Sequence, residues 1–291
     1  MLKLLITGAN GFIANAVLNH LKDSNEIEAT AISVRGDDWK ALDFSKYDSI
    51  LHTAGVAHVD PDPSLADQYE KINHQLTVEV ARKAKAEGVG QFIFLSSIIV
   101  FGEATRAGSH EKIAGRCRPA PANAYGQSKL DAEIDLRKLK SDFFSVAIIR
   151  PPMVYGKGCK GNYNTLVKLA QKLPVFPEFY NNRSMLYVEN LAELIRLIVL
   201  RRDKGTYHPQ DLVPRSVTEI VHEICHVHGK RMRFSRLLAL PVLLLGFRGT
   251  VRRAFGDMAY GRAMSDYPEN YRIVGFQEAI RRTEGDSKWQ A

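Results

Sequence analysis

At 291 residues, 45% of them hydrophobic and 25% charged, the chain can bury a sizeable core and has the composition of an ordinary globular protein. Its net charge of +8 points to an anionic partner without naming one, and no apolar stretch approaches the roughly 18 residues that cross a bilayer. Three widely spaced cysteines (Cys117, Cys159, Cys225) imply no disulfide framework, and MLKLLITGAN lacks the features of a secretory leader, so a cytoplasmic protein is expected.

In chain order, the first half alternates short apolar runs with helix-period segments. LKLLIT (2–7), IEATAISV (27–34), SILHTA (49–54), QFIFLSS (91–97) and FSVAIIR (144–150) read as strands. Residues 12–22, 64–87 and 123–138 read as helices, the second ending at Gly88. Continuous apolar strands alternating with helices belong to a parallel sheet covered on both faces, so residues 1–150 predict a doubly wound α/β domain. Beyond Arg150 the rhythm breaks at Pro151 and Pro152, and YGKGCKGNYN (155–164) is a glycine-rich loop. Residues 190–201 read as a helix returning to the sheet. The rest of 151–291 predicts a smaller, mainly α lobe that sets substrate specificity, because ligands of such folds bind beyond the carboxyl ends of the strands.

The sharpest local signal is TGANGFIA (7–14), which leaves the first strand and opens the first helix. Gly8 permits a tight turn, Gly11 lets backbone approach a pyrophosphate, and Ala14 keeps the helix close to the strand. The helix N-terminus, with Asn10, Phe12 and Ile13 around it, supplies N–H donors and a positive dipole. The second strand should end on an acid that binds the ribose 2′-hydroxyl; here it ends on Ser33 and Arg35. An arginine suits a 2′-phosphate, so NADP(H) is favoured, while NAD(H) stays open with Arg35 as a solvated surface residue.

NAYGQSK (123–129) puts Tyr125 and Lys129 one helical turn apart. About one Tyr-x-x-x-Lys arises by chance in such a composition, so a solvated helix face explains the pair equally well on its own. Its company decides. Alongside TGANGFIA stand the acidic–apolar pair in LDFS (42–45), LHTAG (51–55), Asn73 in KINHQ, and LSSIIVFG (95–102) with Ser97. In this order the motifs resemble the extended short-chain dehydrogenase/reductase family, in its nucleotide-sugar epimerase/dehydratase branch, from Lys3 to about Asn190 and more loosely beyond.

The resemblance implies a Rossmann sheet, with Asp43 and Phe44 at the adenine, Thr53, Ala54 and Gly55 under the cofactor, and Asn73 close by. It also implies a division of labour. Ser97 hydrogen-bonds the substrate oxygen, Tyr125 exchanges that oxygen's proton, and Lys129 holds the nicotinamide ribose and lowers the Tyr125 pKa. Asn162 and Arg183 sit where relatives contact a nucleoside diphosphate, against the plainer reading of a loop cap and a surface arginine. A homodimer through the helices 64–87 and 123–138 is expected by the same resemblance.

Two departures narrow the reaction. Met153 stands where a UDP-galactose 4-epimerase carries asparagine, and Ile98-Ile99 replaces the Asp-Glu pair of the dehydratases. With Arg35 and a chain short for an epimerase, these favour an NADPH-dependent 4-keto reductase of a nucleoside-diphosphate hexose, with a UDP-hexose 4-epimerase as the alternative. A catalytically silent NADP-sensing regulator on the same fold commonly loses the tyrosine or lysine that this chain keeps. A membrane-apposed hydroxysteroid-type dehydrogenase is a further option, weighed against Asn162 and Arg183.

Two other segments invite rival readings. HEICH (222–226), with His228 nearby, fits the H-E-x-x-H zinc pattern, but at about 100° per residue His222 and His226 lie opposite the apolar face, so a solvated helix and no metal are expected. From Ile224 to Gly256 there are seven basic residues and no acid, surrounding LLALPVLLLGF (237–247). An apolar run of this length predicts a buried element with arginines on its rim; peripheral membrane contact through 230–253 is the second reading. No nucleic-acid module appears, so no nucleic-acid partner is expected.

Overall fold

The computed structural model describes residues 1–56 and 63–285. Six parallel strands form the central sheet in the order β2-β1-β3-β4-β5-β9. They are β1 (Leu2–Thr7), β2 (Ile27–Ile32), β3 (Ser49–His52), β4 (Gln91–Leu95), β5 (Ser145–Ile149) and β9 (Gly205–Tyr207). Helices α1 (Phe12–Leu21), α2 (Ala66–Tyr69), α3 (Leu76–Ala86), α4 (Ala124–Lys138) and α6 (Val188–Leu200) flank it. Strand side chains alternate between faces, and both faces are dry. Leu4, Ile6, Leu51, Ile93 and Ile149 pack with α1 and α6 on one side. Leu5, Ile50, Phe92, Phe94 and Ile148 pack with α3 and α4 on the other.

Helix α6 packs on the α1 side of the core. Strand β9 was not foreseen. It pairs with β5 through Ala147↔Gly205 to Ile149↔Tyr207, and three residues carry no periodicity to read. The remainder builds short parallel pairs, β6 (Met153–Tyr155) with β8 (Met185–Tyr187) and β7 (Val175–Pro177) with β10 (Arg233–Ser235). Around them lie α5 (Asn162–Lys172), α7 (Val217–Val227) and α10 (Phe276–Glu284), gathered on a third apolar cluster that includes Tyr155, Tyr163, Phe176, Ile220 and Ile280. Helix α7 starts on a capping box between Ser216 and Glu219.

Three expectations change in detail. The helix read over 64–87 is broken in kind, passing from α2 through a π-helical turn at Glu70–Gln75 into α3. The apolar run 237–247 is not core. It forms α8 (Ala239–Leu244), in which Val242 alone is buried, and leads into α9 (Gly249–Phe255). Residues 162–164 of the expected loop are the first turn of α5. On α7, His222 and His226 face outward, whereas His228 is buried against Glu284 at 2.8 Å.

Candidate active site

The carboxyl end of β1 turns into α1 in a tightly packed corner. Gly8 has φ +97°, and a Cβ there would lie 2.7 Å from Thr53 Oγ1 and 2.8 Å from the Ala54 nitrogen, so only glycine lets β3 pass this close. The Thr53 hydroxyl donates to the Thr7 carbonyl at 2.7 Å, tying the two strand ends. Below them His52 bridges Thr7 Oγ1 at 2.7 Å and Thr77 Oγ1 at 3.1 Å. Burial lowers the His52 pKa to about 3, so the ring stays neutral. Asn10 adopts φ 66°, a left-handed conformation that asparagine tolerates, and Gly11 caps α1. Asn10, Gly11, Phe12 and Ile13 then line a cavity of about 1590 Å³, and the first-turn amides of α1 have no intrahelical acceptor.

The π-helical turn places Asn73 inward, wholly buried. Its Oδ1 accepts from the Val56 amide at 2.8 Å, while Nδ2 donates to the Val56 carbonyl at 3.1 Å and to Ser128 Oγ at 3.3 Å. One side chain thus clamps the chain leaving β3 to the middle of α4. Gly55 lies against it: a Cβ there would stand 2.9 Å from Asn73 Oδ1 and 3.3 Å from Lys129 Nζ.

Ser97 follows β4 in extended backbone and caps the 3-10 turn Ile98–Phe101, accepting from the Ile99 amide at 3.3 Å. Asn123 caps α4 by accepting from the Gly126 amide at 2.8 Å, which sets Tyr125 in the first turn. Ser97 and Tyr125 both line the cavity. Burial pushes the Tyr125 phenol up to about 12, and the Ser97 hydroxyl, hydrogen-bonded to it, pulls the other way. The Tyr69 ring meets that of Tyr125 edge-on at 5.6 Å.

Lys129 lies one turn further in, 6% exposed, its Nζ donating to the Leu95 carbonyl at 2.9 Å and standing 4.7 Å above the Phe94 ring. Burial lowers its pKa to about 8, against the opposing pull of Glu133. The depressed Tyr125 pKa expected from Lys129 is not what the chain by itself shows, because desolvation of the phenolate is the larger effect here.

The far side of the cavity is basic. Met153 of β6, Lys157 and Lys160 of the loop after it, and Asn162 at the start of α5 reach it, and Arg183 and Arg253 reach it from the C-terminal lobe. The Arg183 guanidinium donates to the carbonyls of Gly256 at 3.1 Å and Arg253 at 2.9 Å; burial brings its pKa down to about 10.

Of the expected cofactor contacts, Gly8, Ala54, Asn73 and Lys129 lie beside lining residues without lining the cavity themselves, and three more sit apart from it. Arg35 is exposed beyond β2. Asp43 is exposed and caps a short turn through the Ser45 amide. Phe44 corrects the expected adenine contact: its side chain is fully buried against Trp39 in the core, and its amide donates to Glu87 Oε2 at 2.6 Å. Phe44 of LDFS is a core residue, whereas Leu42 is exposed.

The family model described as NAD dependent epimerase/dehydratase matches residues 4–211. The chain belongs to that family. Among curated relatives, UDP-glucose 4-epimerase of Vibrio cholerae is 34% identical over 214 residues, which is 66% of this chain and 65% of that protein, just under two thirds of its length. Two solved structures share the fold. UDP-glucuronic acid 4-epimerase from Bacillus cereus in complex with NAD has TM-score 0.73 at 17% identity, covering 97% of this chain and 95% of the other. dTDP-4-dehydrorhamnose reductase from Bacillus anthracis in complex with NADP has TM-score 0.65 at 22% identity, covering 81% and 84%.

In this epimerase/dehydratase chain several residues at the site escaped sequence reasoning. Tyr69 was one, although it sits one helical turn before Asn73 on the inward face. Arg253 belongs in the sequence to a basic stretch, yet it lines the cavity. Glu133 stands one turn after Lys129, and that spacing was its available signal. It is fully buried, accepts from Ser96 Oγ at 2.6 Å, and takes both Nε (2.9 Å) and Nη2 (2.6 Å) of Arg150. Burial pushes the Glu133 carboxyl up, but Arg150, Ser96 and Arg137 outweigh it and hold the pKa below the usual range.

Proposed function

We propose that this chain is an NAD(P)-dependent oxidoreductase acting at carbon 4 of a nucleoside-diphosphate hexose, and that it works as a 4-epimerase. The observation that carries the reading is that Ser97, Tyr125 and the Asn10–Ile13 turn line one cavity, with Lys129 buried directly behind. The glycine corner at Gly8, the helix N-terminus and the small residue at Gly55 fit a dinucleotide, whose pyrophosphate Gly11, Phe12 and Ile13 would meet with backbone amides. Thr53, Ala54, Gly55 and Lys129 would hold its nicotinamide half, near Asn73. Asp43 would face the adenine end. Bound there, the cofactor supplies a hydride acceptor and donor for carbon 4 and, when oxidised, a positive charge near Tyr125.

The chain's own groups do the rest. Tyr125 Oη accepts the proton of the 4-hydroxyl as that carbon is oxidised and returns one as it is reduced, and Ser97 Oγ holds the same oxygen by hydrogen bond. Lys129 stays tied to the Leu95 carbonyl, which fixes its ammonium under the site. Asn162, Arg183 and the two lysines of the 156–161 loop offer donors and positive charge to the diphosphate. The expected homodimer would use the outer faces of α3 and α4, where Ile134 is 44% exposed.

The sequence motifs favour the 4-keto reductase, whereas identity to the Vibrio cholerae 4-epimerase supports epimerisation. The reductase remains the second reading because Arg35 stands exposed beyond β2, where it suits the phosphate of NADPH. One experiment separates them. The purified chain, given UDP-glucose without added nucleotide, is expected to form UDP-galactose and to release NAD⁺ on denaturation. Consumption of NADPH with a 4-keto-6-deoxyhexose nucleotide, and no epimer, would transfer the assignment to the reductase. Neither activity would overturn both.

A further inference from the structure

The exposed apolar face of α8 is out of keeping with the rest of the surface. Leu237, Leu240, Leu244 and Phe247 are 77%, 56%, 72% and 64% exposed, and Leu238, Leu243 and Leu245 are exposed beside them. Other large apolar side chains that reach the surface are scattered, Phe143 and Ile273 for example. An isolated exposed leucine needs no explanation, but seven large apolar residues within eleven positions make a patch on the order of several hundred Å², which marks an interaction site.

The segment is amphipathic rather than loose. Val242 and Ala239 turn inward onto Ala107 and Phe179, with Val251 and Phe255 of α9 in the same small cluster. Gly246 packs against Ala107, where a Cβ would come within 3.0 Å of the alanine methyl. The inner face holds the segment on the protein, and the leucines are left outside.

Charge selects among the occupants. From Ile224 to Gly256 the chain has seven basic residues and no acid. Arg231, Arg233 and Arg248 are exposed, and no ion pair engages them among the described residues. Two further arginines of this stretch pair with acids from elsewhere in the chain: Arg252 with Glu103, and Arg236 with Glu178 at 3.3 Å. Along the chain, the leucines are therefore flanked by a net positive collar. No helix among the described residues is long and apolar enough to cross a membrane, so any lipid contact is interfacial. From the leucine face and this collar we infer that Leu237–Phe247 docks on an anionic lipid bilayer, its leucines entering the headgroup boundary while Arg231, Arg233 and Arg248 meet the lipid phosphates. The docked face adjoins the cavity rim, because Arg253 follows it on α9 and Glu103 is held by Arg252.

Flotation with phospholipid vesicles tests this without reference to the reaction. The wild-type chain is expected to float with vesicles of equimolar phosphatidylcholine and phosphatidylglycerol at low salt, and to stay behind with phosphatidylcholine alone. Leu240→Ser with Leu244→Ser should weaken partitioning on the order of a hundredfold. Arg231→Gln with Arg248→Gln should weaken it about tenfold on the anionic vesicles. All four side chains are exposed, so thermal unfolding of the variants should match wild type. A chain that ignores anionic vesicles, or floats equally well without the two leucines, overturns the proposal. So does a lipid-free oligomer that the leucine variants dissociate, since the face would then belong to a second copy.

Discussion

Lys129 Nζ donates to the main-chain carbonyl of Leu95 across 2.9 Å, so the lysine one turn into α4 is tied to the end of β4, two residues before Ser97. Register between helix and strand therefore sets the spacing of all three expected catalytic side chains. Tyr125 is carried one turn earlier on the same helix, and Ser97 by the chain that leaves the strand.

That arrangement predicts separable effects for the two hydroxyls. Tyr125→Phe keeps the ring against Tyr69 and removes only the proton carrier, so turnover on the sugar nucleotide should fall about 10³-fold. Ser97→Ala removes one hydrogen bond to the reacting oxygen and should cost about 10²-fold. Cofactor affinity, measured by calorimetric titration with NADH and NADPH, should barely change in either. Wild-type turnover in Tyr125→Phe would dismiss the proton-transfer role.

Lys129 makes a pH prediction with an unusual sign. Burial lowers its pKa from 10.5 to about 8 in the folded chain. Below pH 8 the lysine is charged in both states, and burying that charge opposes folding by about 3 kcal/mol. Between 8 and 10.5 the unfolded state binds more protons than the folded one, so this group's contribution to stability rises with pH. Lys129→Met should lose that upward slope and nearly all activity. Equal pH slopes for variant and wild type in chemical denaturation would contradict it.

Glu133 behaves in the opposite sense. Its folded pKa is held below the ordinary glutamate value of 4.5, so its stabilisation is complete above that value and is lost as pH falls through the folded pKa. Glu133→Gln leaves Arg150, 5% exposed, without its carboxylate and should cost about 3–5 kcal/mol. Guanidinium denaturation at neutral pH reads this directly. A loss under 1 kcal/mol would mean that Arg150 finds another partner, with His208 the nearest candidate at 3.4 Å from its Nη1.

Asn73→Ala should act on the cofactor before the chemistry. It removes both hydrogen bonds to Val56 and the one to Ser128, leaving the Val56 amide unpaired at a cost of about 1–3 kcal/mol. Because the loosened segment follows Gly55, the expected signature is a weaker dinucleotide Kd with smaller effects on turnover. Unchanged Kd values would show that the clamp serves stability alone.

What the sequence determined by itself is local. Apolar periodicity located β1 to β5 and α1, α4 and α6, because alternation and helical repeats need only neighbouring residues. Gly8 and Gly11 marked the turn, since a backbone conformation is specified within a few positions; the Asn123 cap that starts α4 was not singled out.

Only the tertiary structure decided the rest. Asn73 reaches Val56 and Ser128, which are 17 and 55 residues away, and the π-helical turn that aims it leaves no mark on the apolar pattern. Glu133 finds Ser96 and Arg150 only when α4 lies on the sheet, and Phe44 goes into the core because Trp39 covers it there. The leucines of α8 have the composition of a core helix and are exposed nonetheless. Hydrophobicity states what a side chain would gain by burial; whether another element arrives to bury it is settled by the packing of the whole chain.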